Sequence, residues 1–455
     1  MNLRVFREYD IRGVADRDLD DAVVRALGAA IGARVAGAEV AVGRDCRLTS
    51  PRLFSALTSG IRAYARVIDL GVVPTPVLYF AAHRLRTAAS VMITGSHNPP
   101  QDNGFKIMVG TETLYGPDIV ELRDRTSEFM RTEVPQPTQS MRAYDITEDY
   151  LDSVVSQLQL GPRRMRVVID AGNGAGGPTA TALMSRLGFD CVPLYCEFDG
   201  RFPHHHPDPT QPENLVDLIA EVKRQGAELG IALDGDADRV GAVDATGRIL
   251  WGDQLMILFS KAVLRELPTA AFVGEVKCSQ AMYDEIANAG GRCEMWKVGH
   301  SLIKARMKET GASLAGEMSG HMFFAHRWFG FDDGIYAGAR LIELLSRGER
   351  TLADLAAELP VMVNTPEIRL DCADDAKARV VQLVSARLQA DPRVRSVVTI
   401  DGVRASFDDG WGLLRASNTQ PALVMRCEAA TPDRLAEIRA AIEGYVAEAN
   451  RSMTA

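Results

Sequence analysis

The chain has 455 residues, 46% of them apolar and 24% charged, and carries a net charge of −9. Such a length points to about three or more domains in an ordinary soluble globular protein. The negative balance argues against nucleic acid as a partner but not against a small anionic substrate, which local cations would hold.

No apolar run is long enough to span a bilayer, because the richest, Val72 to Ala82, is cut by Pro74 and Pro76. The first residues lack the apolar stretch of a secretory signal, and seven scattered cysteines without a CxxC pair read as reduced thiols. A cytoplasmic protein with no membrane partner is expected.

Val40 to Asp45 reads as a short apolar strand ending at Gly43-Arg44-Asp45, and helical spacing follows through Leu53, Leu57 and Ile61. Val67 to Gly71 and Ser90 to Thr94 read as buried strands, which establishes α/β alternation. The polar stretch Arg131 to Ser140, with Pro135 and Pro137, marks a boundary near Tyr144; a helical run from Ile146 to about Leu160 opens the next unit. The pattern then repeats, with strand Met165 to Asp170, a glycine-rich turn from Ala171 to Gly177, helix Thr179 to Leu187 and buried strand Leu229 to Asp234. A third round begins near Ala245, with a helix from Asp253, a strand over Ala271 to Val276, and helices through Ala281 to Ala289 and Leu302 to Met307. From Pro360 the character changes. Strands over Thr365 to Leu370 and Val397 to Ile400, with helices Ala376 to Leu388 and Leu435 to Ala449, suggest α+β. The expected architecture is three related α/β domains, 1–144, 145–245 and 246–360, and a smaller α+β domain, 361–455.

Thr94-Gly95-Ser96-His97-Asn98-Pro99-Pro100 puts a hydroxyl on a tight loop at a strand end. Asp234-Gly235-Asp236-Ala237-Asp238-Arg239 puts three carboxylates at alternate positions with an arginine beside them. Such carboxylates repel unless something positive is present. An EF-hand is excluded, because Arg239 stands where its invariant glycine belongs and Ala245 where its closing glutamate belongs. Three carboxylates with room for a phosphate oxygen suit Mg²⁺. A nucleophilic hydroxyl and a hard-cation site are the two parts that phosphoryl transfer through a phosphoserine requires.

Each motif also has a plainer reading. Ser96 reads equally as a turn serine, and His97 beside it in sequence is not thereby a base poised on the hydroxyl. Lys106, with apolar neighbours on both sides, fits a surface position poorly. Gly316-Glu317-Met318-Ser319-Gly320-His321 offers donors and acceptors to sugar hydroxyls, or is a polar loop. Arg415-Ala416-Ser417-Asn418-Thr419-Gln420 brings the guanidinium, hydroxyl and N–H groups that phosphate oxygens want, or is a polar turn. His204-His205-His206 between Pro203 and Pro207 reads as a loop, since consecutive histidines do not converge on one ion. Gly172 to Gly177 lacks the Gly-Lys-Ser/Thr of a P-loop.

In this order, and from Phe6-Arg7-Glu8-Tyr9-Asp10-Ile11-Arg12-Gly13 to Arg415-Ala416-Ser417-Asn418-Thr419, the motifs resemble the α-D-phosphohexomutase superfamily, nearest its bacterial phosphomannomutase/phosphoglucomutase branch. The resemblance implies four domains around a central cleft, with the phosphoserine at Ser96 followed by His97. It implies a metal held by phospho-Ser96, Asp234, Asp236 and Asp238, and a cation at Arg239. Sugar recognition falls to Glu317, Ser319 and His321, and phosphate binding to Arg415, Ser417, Asn418 and Thr419. Tyr9, Arg12, Lys106, Lys277, Gly299 and His300 match cleft-lining residues. Met318 resembles the mannose/glucose branch, where the aminosugar branch more often carries glutamine. Two positions depart from the pattern. Ala237 replaces a usual glycine, which would cost about 1 kcal/mol if the site needs φ > 0, and Gln420 replaces a common threonine.

The implied reaction moves a phosphoryl group between O1 and O6 of mannose and glucose phosphates, with Mg²⁺ as cofactor and hexose 1,6-bisphosphate as intermediate and activator. Lys106 or His321 would take the proton, with Arg12 close by. Two other readings are a mutase of aminosugar phosphates and a phosphomonoester phosphatase. A monomer is expected.

Overall fold

The structure, a computed structural model, describes residues 2–417 and 421–454. Three of its sheets share one strand order. In the first, Arg66–Val72, Glu39–Arg44 and Ala89–Ile93 lie parallel, and Asp102–Val109 returns antiparallel beside the last. In the second the same places are taken by Asp190–Leu194, Arg166–Asp170, Leu229–Leu233 and Val240–Asp244. In the third they are Arg292–Trp296, Ala271–Glu275, Leu314–Gly316 and Met322–Phe324. Each time, the third parallel strand turns through a short loop into the antiparallel one. Those loops, residues 94–101, 234–239 and 317–321, carry Ser96, the three aspartates and the Glu317–Ser319–His321 group.

Ala89–Ile93 and Leu229–Leu233 are buried at every residue, as strands covered on both faces must be. The α/β alternation read from the sequence is present. The antiparallel return strands are an addition to it, because alternation alone does not tell which way a neighbouring strand runs.

The last sheet is antiparallel throughout. Ala422–Ala429 pairs with Gly410–Ala416, and Val403–Phe407 and Ser396–Val398 follow beyond it. Helices Lys377–Ala390 and Pro432–Thr454 pack with it, which is the expected α+β unit. The strand expected from Thr365 instead runs over Ile368–Asp371, and Val363–Asn364 pairs separately. Pro366 lies between them and has no N–H to give to a ladder.

The apolar segment broken by prolines is the helix Thr75–Leu85, with Pro76 in its first turn, where a missing N–H is harmless. Its side chains join a core shared with the second and third sheets. Phe80 stacks on Trp328 at 6.0 Å and meets Tyr150 edge-on at 5.6 Å. A separate core fills the C-terminal unit, and a small cluster of Val276, Trp411 and Leu413 joins that unit to the third sheet. There the Arg404 guanidinium lies 3.9 Å over Trp411 and donates to the carbonyls of Val276 (2.7 Å) and Cys278 (2.9 Å). All seven cysteines are free thiols. Among the described residues no helix is long and apolar enough to cross a membrane.

Ala237 has φ 60° and is fully buried, so the strain anticipated for a residue in place of glycine is present. Its methyl fits because Gly176 faces it: a Cβ on Gly176 would lie 2.5 Å from that of Ala237. Gly176→Ala is therefore expected to destabilise by about 1–3 kcal/mol through overpacking, and adding Ala237→Gly to recover most of the loss. Urea midpoints of the two single variants and the double variant would measure this coupling; purely additive effects would refute it.

Candidate active site

The three hairpin loops meet. Ser96 Oγ donates to Asp234 Oδ2 at 2.8 Å, and His97 Nδ1 is 3.4 Å from the same hydroxyl. Lys106, on the return strand of the first sheet, donates to Asp236 (2.7 Å) and to Asp238. Thr75 adds a hydroxyl bond to the Asp236 carboxylate and an N–H bond to its carbonyl. From the third sheet, His321 Nε2 lies 3.2 Å from Asp238 Oδ1 and Nδ1 lies 2.7 Å from Glu317 Oε2. Arg239 Nε lies 3.2 Å from His321 Nε2, and Ser319 Oγ donates to Glu317 at 3.2 Å.

The electrostatics follow from burial. Asp234, Asp236 and Asp238 are each 0% exposed. Burial and the charges of Asp238 and Asp236 push the Asp234 carboxyl well above its usual range. Burial also works against Asp238, but Lys106 and His321 outweigh it and hold that group well below the usual range. Lys106 is the mirror case: burial lowers it, and Asp236 and Asp238 win, so it stays an ammonium. His321 is pushed up to about 9, because Asp238 and Glu317 overcome its burial. His97 and His300 are held neutral, chiefly by burial and then by neighbouring cations.

Candidate ligand atoms of Asp234, Asp236 and Asp238 lie within 4.8 Å of one another. Asp236 Oδ1 is buried and makes no hydrogen bond. This crowded, oxygen-only donor set with an unused buried oxygen fits a hard divalent cation. Asp238, His321 and Asp332 form a second such group beside it.

The remaining expected residues surround this cluster or stand next to it. Arg12 binds Asn98 of the serine loop (2.8 Å) and Asp10 (2.7 Å), and its buried Nε makes no hydrogen bond. Gly299 N–H donates to Glu317 Oε1 at 2.9 Å, and Tyr9 OH donates to the Val298 carbonyl at 2.9 Å. His300 lies 3.3 Å from Lys304, which pairs with Asp332 at 2.8 Å. Arg415 instead pairs with Asp401, which also accepts the Val298 N–H; the 298–299 segment thus links the two groups of residues. Lys277 lies between Glu275 (3.9 Å) and Glu367 (3.6 Å). The Ser417 N–H donates to the Ala422 carbonyl at 2.9 Å, and its carbonyl accepts from Lys377 Nζ at 2.7 Å. Asn418 and Thr419 lie outside the described residues.

His204, His205 and His206 do not gather on one point. His204 stacks on Tyr195 at 3.8 Å, and His205 binds Asp170 at 3.0 Å.

Sequence reasoning missed Arg47. Its guanidinium is fully buried and donates to the carbonyls of Ser96 (2.7 Å), Asn98 (2.6 Å), Pro99 (2.5 Å) and Asp102 (3.1 Å), and to Asp45 (3.1 Å). It passes so close to Gly95 that a Cβ there would lie 2.5 Å from Nε. This one side chain ties the loop into the shape that holds Ser96 at φ 50°, a strained conformation for a residue with a Cβ. The only sequence signal was a charged pair, Asp45 and Arg47, directly after a buried strand.

The chain matches "Phosphoglucomutase/phosphomannomutase, alpha/beta/alpha domain I" over residues 3–126, domain II over 148–247, domain III over 251–362, and the family's C-terminal domain over 367–444. It is 46% identical over 453 residues to a phosphomannomutase/phosphoglucomutase of Pseudomonas aeruginosa, covering 99% of this chain and 96% of that one. A phosphoglucomutase of Neisseria gonorrhoeae is 43% identical over 442 residues, with coverage of 96% and 95%. The crystal structure of a phosphoglucomutase/phosphomannomutase family protein from Burkholderia thailandensis superposes with a TM-score of 0.91 at 42% identity, covering 99% of this chain and 98% of that one.

Arg47→Lys exchanges a planar fork of donors for a point charge and leaves buried carbonyls unmatched. It is expected to destabilise by about 1–3 kcal/mol for each carbonyl left alone and to lower kcat more than it raises KM. Denaturant midpoints and steady-state kinetics check this, and wild-type values for both would exclude the role.

Proposed function

The chain belongs to the phosphoglucomutase/phosphomannomutase family, and on that footing we propose that it moves a phosphoryl group reversibly between O1 and O6 of glucose and mannose phosphates through Ser96. The observation that carries the reading is the Ser96 hydroxyl, 2.8 Å from Asp234, where loops from three sheets meet. We place the working units at 1–144, 145–245, 246–360 and 361–455, so the phosphate anchor at Arg415 belongs to a different unit from the nucleophile.

Ser96 carries phosphate in the resting enzyme. A hexose 1-phosphate docks its phosphate on Arg415 and Ser417, with Asn418 and Thr419 beside them, after Arg415 exchanges its Asp401 contact for the ligand. Tyr9, Lys277, Gly299 and His300 line the path, and Glu317 and Ser319 take the O3 and O4 hydroxyls. The free O6 faces phospho-Ser96 and accepts its phosphoryl group, giving hexose 1,6-bisphosphate. The bisphosphate turns over in the cleft, its other phosphate passes back to Ser96, and the 6-phosphate leaves. O3 and O4 occupy similar places before and after the turn, so the configuration at O2 matters little and both sugars are accepted.

Lys106, Arg12 and Arg239 offset the charge on the moving group, and His97, held neutral, lies against the Ser96 hydroxyl. Lys106 and His321 are both protonated in this arrangement, so either one must first give up its proton before it can take the one that leaves O6. Asp234, Asp236 and Asp238 would hold Mg²⁺ together with a phosphoserine oxygen, and the bound ion would supply positive charge to the transferring group. A phosphatase would draw no benefit from an anchor for the phosphate that does not react. A cytoplasmic monomer fits this chemistry.

Incubation with glucose 1-phosphate, Mg²⁺ and trace glucose 1,6-bisphosphate should yield glucose 6-phosphate; free phosphate instead would make the chain a phosphatase. Intact mass should show wild type partly one phosphate heavier and Ser96→Ala never so, with most turnover gone. A fully active, unphosphorylated wild type without added bisphosphate would refute the role of Ser96.

Arg415→Ala should raise KM about tenfold or more, the effect of one lost charge-assisted contact. It should also release more hexose 1,6-bisphosphate per turnover and depend more on added bisphosphate. A raised KM with the intermediate fully retained would leave Arg415 a docking residue only.

A further inference from the structure

Away from the catalytic loops, a cavity of about 290 Å³ opens at the C-terminal ends of helices Gly252–Glu266 and Gly334–Ser346. Arg265, Arg327, Arg340 and Arg347 line it against two acids, Glu266 and Glu343, an excess of two positive charges. The acids are already answered. Glu343 accepts from Arg327 (2.9 and 3.0 Å), Arg340 (2.9 Å) and the Gln159 N–H (2.9 Å). Glu266 accepts from Arg347 at 2.7 Å. Arg265 has no hydrogen-bond or ion-pair partner among the described residues.

Neutralising helix C-termini would account for some of these arginines. It does not account for Arg327, which comes from a loop. Its backbone is held at φ 63°, a strained value for arginine. Its Nε is buried and makes no hydrogen bond, and a Glu266 carboxylate oxygen stands 3.6 Å from it. A strained arginine with an unused buried donor, in the wall of a cavity with surplus positive charge, is what a bound anion would satisfy.

We propose that this cavity binds a small phosphate-bearing dianion. The volume lies at the small end of ligand pockets and suits a phosphate or diphosphate group rather than a nucleotide. Guanidinium forks match phosphate oxygens, and the Phe259 and Ala262 side provides an apolar wall for an attached carbon. The two helices also give the site a reach. Gly252–Glu266 starts against the Glu317–Gly320 backbone, and the Gly334 N–H donates to the Ala237 carbonyl at 3.0 Å. An anion at their far ends would brace the elements that support both the sugar loop and the aspartate loop.

Titration calorimetry with inorganic pyrophosphate in metal-free buffer tests the proposal. Ala262→Glu adds a carboxylate to the cavity without removing a cation, and Arg265→Gln removes a guanidinium that holds nothing else. Wild type should bind pyrophosphate at a site that both variants weaken about tenfold or more, while their kcat and melting temperatures stay at wild-type values. Arg415→Ala marks any pyrophosphate held at the catalytic anchor and should leave this site intact. Unchanged binding in both cavity variants, binding that disappears only in Arg415→Ala, or no binding in wild type would each overturn it.

Discussion

Three carboxylates, buried within 4.8 Å of one another, set the terms for the rest of the molecule. Such a group cannot stay ionised unless positive charge is brought to it, most of it from other units. Lys106 comes from the first sheet, His321 from the third, and Arg239 from the loop itself. Docking of the units and ionisation of the site are therefore one requirement. A pair of units that drifted apart would lose its ion pairs, so the geometry of the Ser96 loop is held by the same contacts that hold the interface.

The repeated strand order explains how three loops come to face one another. A parallel sheet delivers its loops at the carboxyl ends of the strands, where ligands bind in such folds. Here the last parallel strand of each sheet turns back as an antiparallel strand, so its loop is a tight hairpin turn rather than the start of a long crossover. Hairpin turns are short and well tied down. They suit side chains whose positions must be fixed to fractions of an ångström for phosphoryl transfer. The C-terminal unit follows another plan and contributes a different kind of group, an arginine on a sheet strand paired to its own aspartate.

Much of this was legible in the sequence because the chemistry is concentrated in short loops. Ser96, the alternate aspartates and the Glu317–His321 run each announce themselves within six residues, and the apolar neighbours of Lys106 correctly foretold its burial. What stayed hidden depends on distant parts of the chain. Arg47 acts on carbonyls some fifty positions away, and Thr75 reaches Asp236 across 161 positions. No local pattern encodes such pairs. The antiparallel strands were equally silent, since a buried run such as Phe105-Lys106-Ile107-Met108 reads the same whichever way its neighbour points. Ala237 was visible as an oddity, but Gly176, which makes room for it, lies some sixty residues upstream and was seen only as part of a turn.

The division of the apolar core has a consequence for how the chain comes apart. Helix Thr75–Leu85 and the second and third sheets share one core, whereas the C-terminal unit encloses its own and meets the rest through a small apolar cluster and a few hydrogen bonds. Cooperativity follows contiguous packing. One face of the first sheet joins that shared core and its other face closes over a core of its own, so the first three units are tied together by the shared packing and by the carboxylate cluster at their junction. The C-terminal unit is a separate foldon, free to open while the catalytic block remains intact. Heat or denaturant would then release Arg415 from its place beside the 298–299 segment while the Ser96 loop still kept its shape.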